Sequence, residues 1–269
     1  MSTLAISDAD LLTLSDLNLY EFQREEVRRA DGGSIVEQEG MLLTVAADPF
    51  PPLSSAMRIA PASELSAVGF LDGASQYFAS LKRGFSLRAR GHLDADIIAE
   101  CEARGYLALG ASPGMVLRTP LPTPAPSGYV LRVAEEMSTM RDFVTVAVGS
   151  YATLGLPEAS AHKMMERAER MLNPYTHVVV AYREDQPVSV AMAFLSHGIG
   201  GVYWVGTLPA ARGLGTAAHC TRAVGNHCFE QGARAVVLQA SKQGEPIYRA
   251  LGYEVVTRYP WFLYLPPKA

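Results

Sequence analysis

The sequence predicts an α/β protein whose sheet mixes parallel and antiparallel strands (an α+β mixture), built from two unequal parts. Three features carry this prediction. Short β-branched and aromatic runs alternate with helix-compatible stretches along the chain. The run Val202-Tyr-Trp-Val-Gly-Thr207 leads through Pro209 into Arg212-Gly-Leu-Gly-Thr-Ala217 and at once into a helix-compatible stretch, a strand–glycine turn–helix unit. The segment Thr119-Pro-Leu-Pro-Thr-Pro-Ala-Pro-Ser-Gly128 alternates prolines with small residues, which favours an extended, semi-rigid linker. The expected division is residues 1–120, a linker at 121–128, and residues 129–269.

The elements of the second part are expected in the order β-α-α-β-β-β-α-β-α-β. Strands are expected at 129–134, 177–182, 188–195, 202–207, 235–239 and 255–265. Helices are expected at 139–151, with Ser138 as a possible N-cap, at 157–172, at 217–231 and at 246–251, where Gly252 stops the last. In the first part, 8–29 reads as one long helix or two. A strand pair is expected at 34–39 and 41–46, a helix at 62–81, a strand at 85–90, a helix at 94–104 and a strand at 106–117.

Composition narrows the function. Hydrophobic residues make up 49% and charged residues 19%, enough to bury a core. A net charge of −4 gives no electrostatic reason to expect nucleic acid or an anionic membrane as partner. No apolar run has the length of a membrane span. The start, MSTLAISDADLLTL, lacks the basic segment of a secretory signal, and Cys101, Cys220 and Cys228 make a poor disulfide framework. A reducing, cytoplasmic setting is expected, as a monomer or homodimer.

The segment 212–217 carries the chemistry. Backbone N–H groups at a helix start are unpaired and face whatever lies in front of them, and Gly213 and Gly215 let a ligand approach the backbone. A phosphate-bearing ligand is the first expectation. Gly213-Leu-Gly-Thr-Ala-Ala218 also fits a dinucleotide fingerprint, G-x-G-x-x-A. Against it, Leu208-Pro-Ala-Ala-Arg212 separates strand from loop, and Val236-Val-Leu-Gln239 ends without the acidic ribose partner.

From Tyr129 onward the chain resembles the GNAT superfamily of acyl-CoA N-acyltransferases. Arg212, Gly215 and Ala217 meet that family's pyrophosphate motif, [Q/R]-x-x-G-x-[G/A], and Thr207-Leu-Pro209 stands where it has V-x-P. The resemblance implies a GNAT fold and acetyl-CoA or a related acyl-CoA as donor. It implies that Arg212, Gly213, Leu214, Gly215, Thr216 and Ala217 cradle the pyrophosphate. It further implies that Val205, Gly206 and Thr207 lie along the pantetheine arm, with an N–H near Val205 polarising the thioester. Ile247-Tyr-Arg-Ala-Leu-Gly-Tyr253 resembles the second signature, Y-x-x-x-G-[FY], and makes Tyr248 the acid for the departing thiolate. Ser241, Lys242 and Gln243 stand where such families often carry an Asn. The implied activity is acetyl transfer to a small-molecule or peptide amine; a catalytically silent acyl-CoA-binding module is the alternative.

No general base is visible. His197 and Glu245 lie near the relevant ends, each reading first as a loop residue. His219, Cys220, His227 and Cys228 form two pairs about two helical turns apart, too far for one tetrahedral metal centre. Met164, Met165 and Met171 read as a core stripe in a region that lines the acceptor pocket in the family. In the first part, Cys101-Glu-Ala-Arg-Gly-Tyr106 aligns onto Tyr248-Arg-Ala-Leu-Gly-Tyr253, with no phosphate loop before it. The first part therefore reads as a degenerate GNAT-like copy, and one acyl-CoA per chain is expected.

Overall fold

The computed structural model describes residues 6–123 and 128–266. Residues 124–127 of the expected linker, and the first five residues, lie outside the described residues. One sheet of eleven strands runs through the molecule. The N-terminal part supplies α1 (Asp8–Arg28), β1 (Ser34–Gln38), β2 (Met41–Val45), β3 (Ser55–Arg58), α2 (Ala67–Ser80), β4 (Phe85–Arg88), α3 (Ala95–Ala103) and β5 (Leu107–Leu117). The C-terminal part supplies β6 (Val130–Val133), α4 (Met137–Ala152), α5 (Glu158–Met164), β7 (Thr176–Arg183), β8 (Gln186–Ser196), β9 (Ile199–Thr207), α6 (Thr216–Glu230), β10 (Val236–Gln239), α7 (Glu245–Ala250) and β11 (Glu254–Tyr264).

The strand order is β1-β2-β3-β4-β11-β5-β10-β9-β8-β7-β6. The last strand of each part thus lies beside the other part's strands. β11 sits between β4 and β5, and β5 sits between β11 and β10. Around the β5–β11 pair the surroundings repeat. β5 is antiparallel to β10, which is parallel to β9; β11 is antiparallel to β4, which is parallel to β3. Swapping β5 with β11 exchanges α3 with α7 and α2 with α6. The repeat expected from the Cys101 and Tyr248 segments is therefore present in the topology.

Some elements differ from expectation for local reasons. The stretch 157–172 is not one helix: α5 stops at Met164, and a 3-10 turn at Ala168–Met171 follows. The chain bends there so that the Arg167 amide donates to the Arg29 carbonyl, while the Arg167 guanidinium pairs with Asp31. Ser138 is not the N-cap of α4. Glu136 holds that place, and the Ser138 hydroxyl donates to its carboxylate. β3 went unpredicted because Ser55-Ala-Met-Arg58 has no apolar alternation; all four residues are buried.

Helix α1 is the internal brace. Its face carries buried polar residues as well as Leu11, Leu19 and Phe22. Asp16 accepts from the Tyr259 hydroxyl at 2.8 Å on β11 and lies 3.1 Å from His92 Nε2. Asn18 donates to the Phe194 carbonyl and to Ser196, and accepts from the Tyr203 hydroxyl at 2.7 Å. Phe22 stacks on Tyr203 with centroids 3.5 Å apart. Tyr20 packs against Leu42 and Met57 on the other side. A helix from one part is thus tied to strands of both.

The approach at Gly201 has no slack. A Cβ there would stand 2.0 Å from Asn18 Oδ1 and 2.5 Å from the Tyr203 ring. Gly201→Ala is expected to cost about 1–3 kcal/mol by overpacking and to lower Tm by several degrees. Thermal unfolding followed by circular dichroism checks this; an unchanged Tm would mean that α1 is not held here.

Candidate active site

The site begins where the sheet opens. β9 and β10 run parallel but pair at only two positions, Val236↔Gly200 and Val237↔Gly201. Beyond them β10 stays with β5, the Ala240 amide donating to the Pro113 carbonyl, while β9 stays with β8. The backbone of β9 after Gly201 therefore has a free edge facing a gap. The Leu208 amide donates to Val188 on β8, and the Gly206 carbonyl accepts from Ser189 Oγ. By the two-residue period of a strand, Val205 and Thr207 turn their N–H and C=O groups to the gap side.

A bulge interrupts β9 beside this gap. The register with β8 slips between Val190↔Gly206 and Met192↔Tyr203, so that Trp204 and Val205 oppose Ala191 alone. Trp204 takes φ +50°, a left-handed conformation that a bulky residue adopts at a cost. The extra residue leaves a backbone N–H out of the ladder at this point. It also turns Tyr203 and Trp204 into the same core, against α1 and α4.

The loop after β9 is built from its backbone. Gly213 and Gly215 have φ of +80° and +76°, and a Cβ on either would meet nothing within 4 Å. Glycine is needed there for conformation rather than for space, and the surface in front of the loop is open. Gly215 is the N-cap of α6 and offers no side chain to its first turn. The amides from Gly213 to Ala218 have no intramolecular acceptor, and the positive end of a 15-residue helix lies behind them. Leu214 is exposed, Thr216 buried and Ala217 half-buried. Arg212 braces the loop through its side chain. Its Nε donates to the Thr207 carbonyl at 3.2 Å and its Nη2 to Thr153 Oγ1 at 2.6 Å. These bonds tie the loop to the end of α4.

Tyr248 on α7 is buried and packs edge-on against Tyr253, and a Cβ on Gly244 would collide with its ring at 2.8 Å. Burial alone pushes its phenol above the ordinary tyrosine value; no charge or hydrogen bond contributes. The group stays protonated at neutral pH. Tyr151, at the end of α4, is close enough for Tyr248 to influence its titration, and its ring lies 4.6 Å from Trp204. Of the two base candidates in the sequence, Glu245 is bound to Arg249 at 2.7 Å, and His197 sits exposed in the β8–β9 turn, at the far end of β9 from the bulge.

A carboxylate that the sequence did not single out does reach the bulge. Glu26, on α1, accepts from Trp204 Nε1 at 3.1 Å and from Gln23 at 3.0 Å. Burial raises its pKa against the opposing pull of Arg29 and Arg88. It also lines a narrow cleft with Gln23, Val27, Asp48, Lys163 and Met164. The only sequence signal for it was an acidic residue within a helix.

The equivalent place in the N-terminal part is closed. β3 and β4 also pair at only two positions, Ser55↔Ser86 and Ala56↔Leu87. Here Arg58 fills the space, bound to Asp94 at 2.8 Å and Asp96 at 2.6 Å, with Arg90 on the far side of Asp94 at 2.7 Å. Arg58 also donates to the Leu65 carbonyl, and the N-cap Ser66 accepts from the Gly69 amide. Cys101, in the position of Tyr248, is buried with its thiol pushed up to about 12.

Residues 146–259, which contain the gap, the bulge, the loop and Tyr248, match the family model of the acetyltransferase (GNAT) domain. Comparison with curated proteins gives no match. Among solved structures, the chain is similar over 98% of its length to 98% of a GCN5-related N-acetyltransferase from Kribbella flavida, with a TM-score of 0.71 and 19% identity. A GCN5-related N-acetyltransferase from Sphaerobacter thermophilus is similar over 98% of this chain and 96% of its own, with a TM-score of 0.60 and 18% identity. A tandem GNAT protein from the clavulanic acid biosynthesis pathway is similar over 99% of this chain and 98% of its own, with a TM-score of 0.62 and 13% identity. These likenesses are of fold, and they run through both parts. Residues 146–259 thus carry a GNAT-type acetyltransferase domain, and the fold of the whole chain is that of these N-acetyltransferase structures.

Proposed function

We propose that this chain moves an acetyl group from acetyl-CoA directly to an amine on a small molecule or peptide. The observation that carries this reading is the run of unpartnered amides from Gly213 to Ala218, at a helix start beside the opened β9 edge. Amides in that arrangement suit a pyrophosphate. The edge along Val205, Gly206 and Thr207, where Val205 and the Thr207 amide face the gap, suits an arm that pairs like an added strand. The division into residues 1–120 and 129–269 is proposed as one between repeats, since their strands interleave.

The chain's residues have distinct roles in the transfer. The N–H freed by the bulge at Trp204 and Val205 stabilises charge on the thioester oxygen as the amine nitrogen attacks the carbonyl carbon. Glu26 takes the proton that the amine loses, directly or through a water in the cleft beside it. Its raised pKa makes it a stronger base than an ordinary carboxylate. As the C–S bond breaks, Tyr248 gives its proton to the sulfur, so the thiol leaves neutral.

Isothermal titration with CoA should give one site per chain, since Arg58 and Ser66 occupy the second gap. Two sites would contradict this. Gly215→Glu sets a Cβ at φ +76° and a negative charge before the phosphates, and should weaken CoA by about tenfold or more, roughly 1.4 kcal/mol. Undiminished affinity would remove the loop assignment. If CoA binds but no amine in a broad panel is acetylated, the chain is a silent acyl-CoA-binding module.

Tyr248→Phe should lower kcat by roughly 100-fold while leaving CoA affinity near its original value. For Glu26 the relevant sign is that the base works deprotonated. A raised pKa therefore moves the acidic limb of kcat/KM upward from the usual carboxylate range. Burial sets the rise, opposed by Arg29, Arg88, Trp204 and Gln23. Glu26→Gln should lower kcat/KM by roughly 100-fold and abolish that limb; a pH–rate profile with the limb intact would exclude Glu26.

A further inference from the structure

Two arginines beside this site have no partner of their own. Arg29, at the end of α1, is only 3% exposed, yet its Nη2 is buried without a hydrogen-bond acceptor. Its guanidinium lies 5.2 Å from the centre of the Phe22 ring. Arg88, at the end of β4, lies 5.0 Å from the centre of the Trp261 ring, and Trp261 Nε1 is itself buried without a partner. Arg88 and Trp261 are opposed across the β4–β11 pair, so they share a face. Neither guanidinium forms an ion pair or hydrogen bond among the described residues.

The charge count does not close. Glu26 is the one carboxylate that influences both arginines substantially, and its hydrogen bonds go to Trp204 and Gln23. Glu25 also acts on Arg29 but is itself paired with Arg28, so Glu26 faces two otherwise unpaired cations. The burial of an unpaired charge is costly. Burial raises the Glu26 pKa by more than Arg29 and Arg88 pull it down. Arg58 makes the contrast within the same chain, since its burial is met by two carboxylates. Arg29 Nη2 and, beside Arg88, Trp261 Nε1 are buried donors left without an acceptor.

These groups adjoin the reaction centre. Arg29 lies over the Phe22 ring, which stacks on Tyr203 with centroids 3.5 Å apart, and the charge of Arg88 is also felt at Tyr203 and Tyr151. Tyr203 flanks the bulge, and Trp204 joins it to Glu26. The anionic end of CoA is assigned to the start of α6, so it does not supply the missing charge here.

We propose that the acceptor brings the anion: an amine that carries its own carboxylate or phosphate, held by Arg29 and Arg88 while its amino group is turned to Glu26. The identification as an acceptor subsite rests on the acetyltransferase reading; the anion subsite itself does not. The amine of such a molecule loses its proton to Glu26, and the anionic group stays unchanged through the transfer.

The chain's only two tryptophans, Trp204 and Trp261, both border this place, so their emission reports on it without turnover. The full chain would be titrated with free amino acids, with the matching amino-acid amides, and with phosphoethanolamine. Saturable emission changes are expected with the amino acids or with phosphoethanolamine, the two arms separating carboxylate from phosphate, and are not expected with the amides. Arg88→Gln should weaken the anionic ligand by about tenfold or more, and Arg88→Lys by less. Arg29→Gln gives the same reading if Arg88→Gln does not fold. In assays with acetyl-CoA, the preference for the acid over its amide should shrink in the same variants. Equal binding of acid and amide, or no response to any anionic amine, overturns the proposal. Calorimetric CoA binding in the same preparation separates the two readings. CoA binding without anion binding sinks the subsite alone; anion binding without CoA binding sinks the acetyltransferase reading and keeps the subsite.

Discussion

The antiparallel pairing of β5 with β11 is the constraint on which the rest of this structure depends. Each strand is the last of its own part, and each finds its neighbours in the other: β11 beside β4, β5 beside β10. The register runs from Glu254↔Val116 to Leu263↔Leu107, so both long strands are used along nearly their whole length. This pairing holds β10 on the β5 side while β9 is held by β8. The opening between β9 and β10 follows from strands that are each fully committed elsewhere. A gap of this kind presents polar backbone, which is tolerable only if something with matching donors and acceptors fills it.

Helix α1 turns the joined sheet into a site. It lies against β9 and β8 through Phe22 and Asn18, against β11 through Asp16, and against β2 and β3 through Tyr20. Because it is pinned by buried hydrogen bonds at Asp16 and Asn18, its last turns are held in register over the bulge. Glu26 and Arg29 therefore come from the part of the chain that lacks a phosphate loop, but Glu26 is bound to Trp204 of the part that has one. A hydrogen bond across 178 residues, from Trp204 to Glu26, joins the two parts beside the bulge.

What was legible in the sequence was what is local. Arg212-Gly-Leu-Gly-Thr-Ala217 and Tyr248 are read from spacing within a few residues, because a left-handed glycine and a helix start are properties of short segments. The order of elements in the C-terminal part was legible for the same reason. The bulge was not, since it exists only as a mismatch between β9 and β8. Nor were Glu26, Arg29 and Arg88: nothing near them in sequence distinguishes them from the ion-paired Arg24 and Arg28 of the same helix. The exchange of β5 and β11 was also hidden, because strand periodicity reports a face and not a neighbour.

The two gaps of the sheet show what divergence between copies of one fold costs. Arg58 and its aspartates satisfy the N-terminal gap from within, with the Ser66 cap completing the helix start. Arg58 Nη1 and Nη2 and the Ser66 hydroxyl thus find their partners within the chain. The C-terminal gap keeps its amides unpaired, a left-handed Trp204, and glycines where a side-chain cap would stabilise α6. Each of these is a local loss of stability of the sort that persists at working sites. The closed copy offsets that loss by supplying β5 and α1, the strand and the helix that hold the open copy in shape. The strand and the helix that brace the open gap thus come from the part whose own gap is closed, which is a physical reason for the two to be kept in one chain.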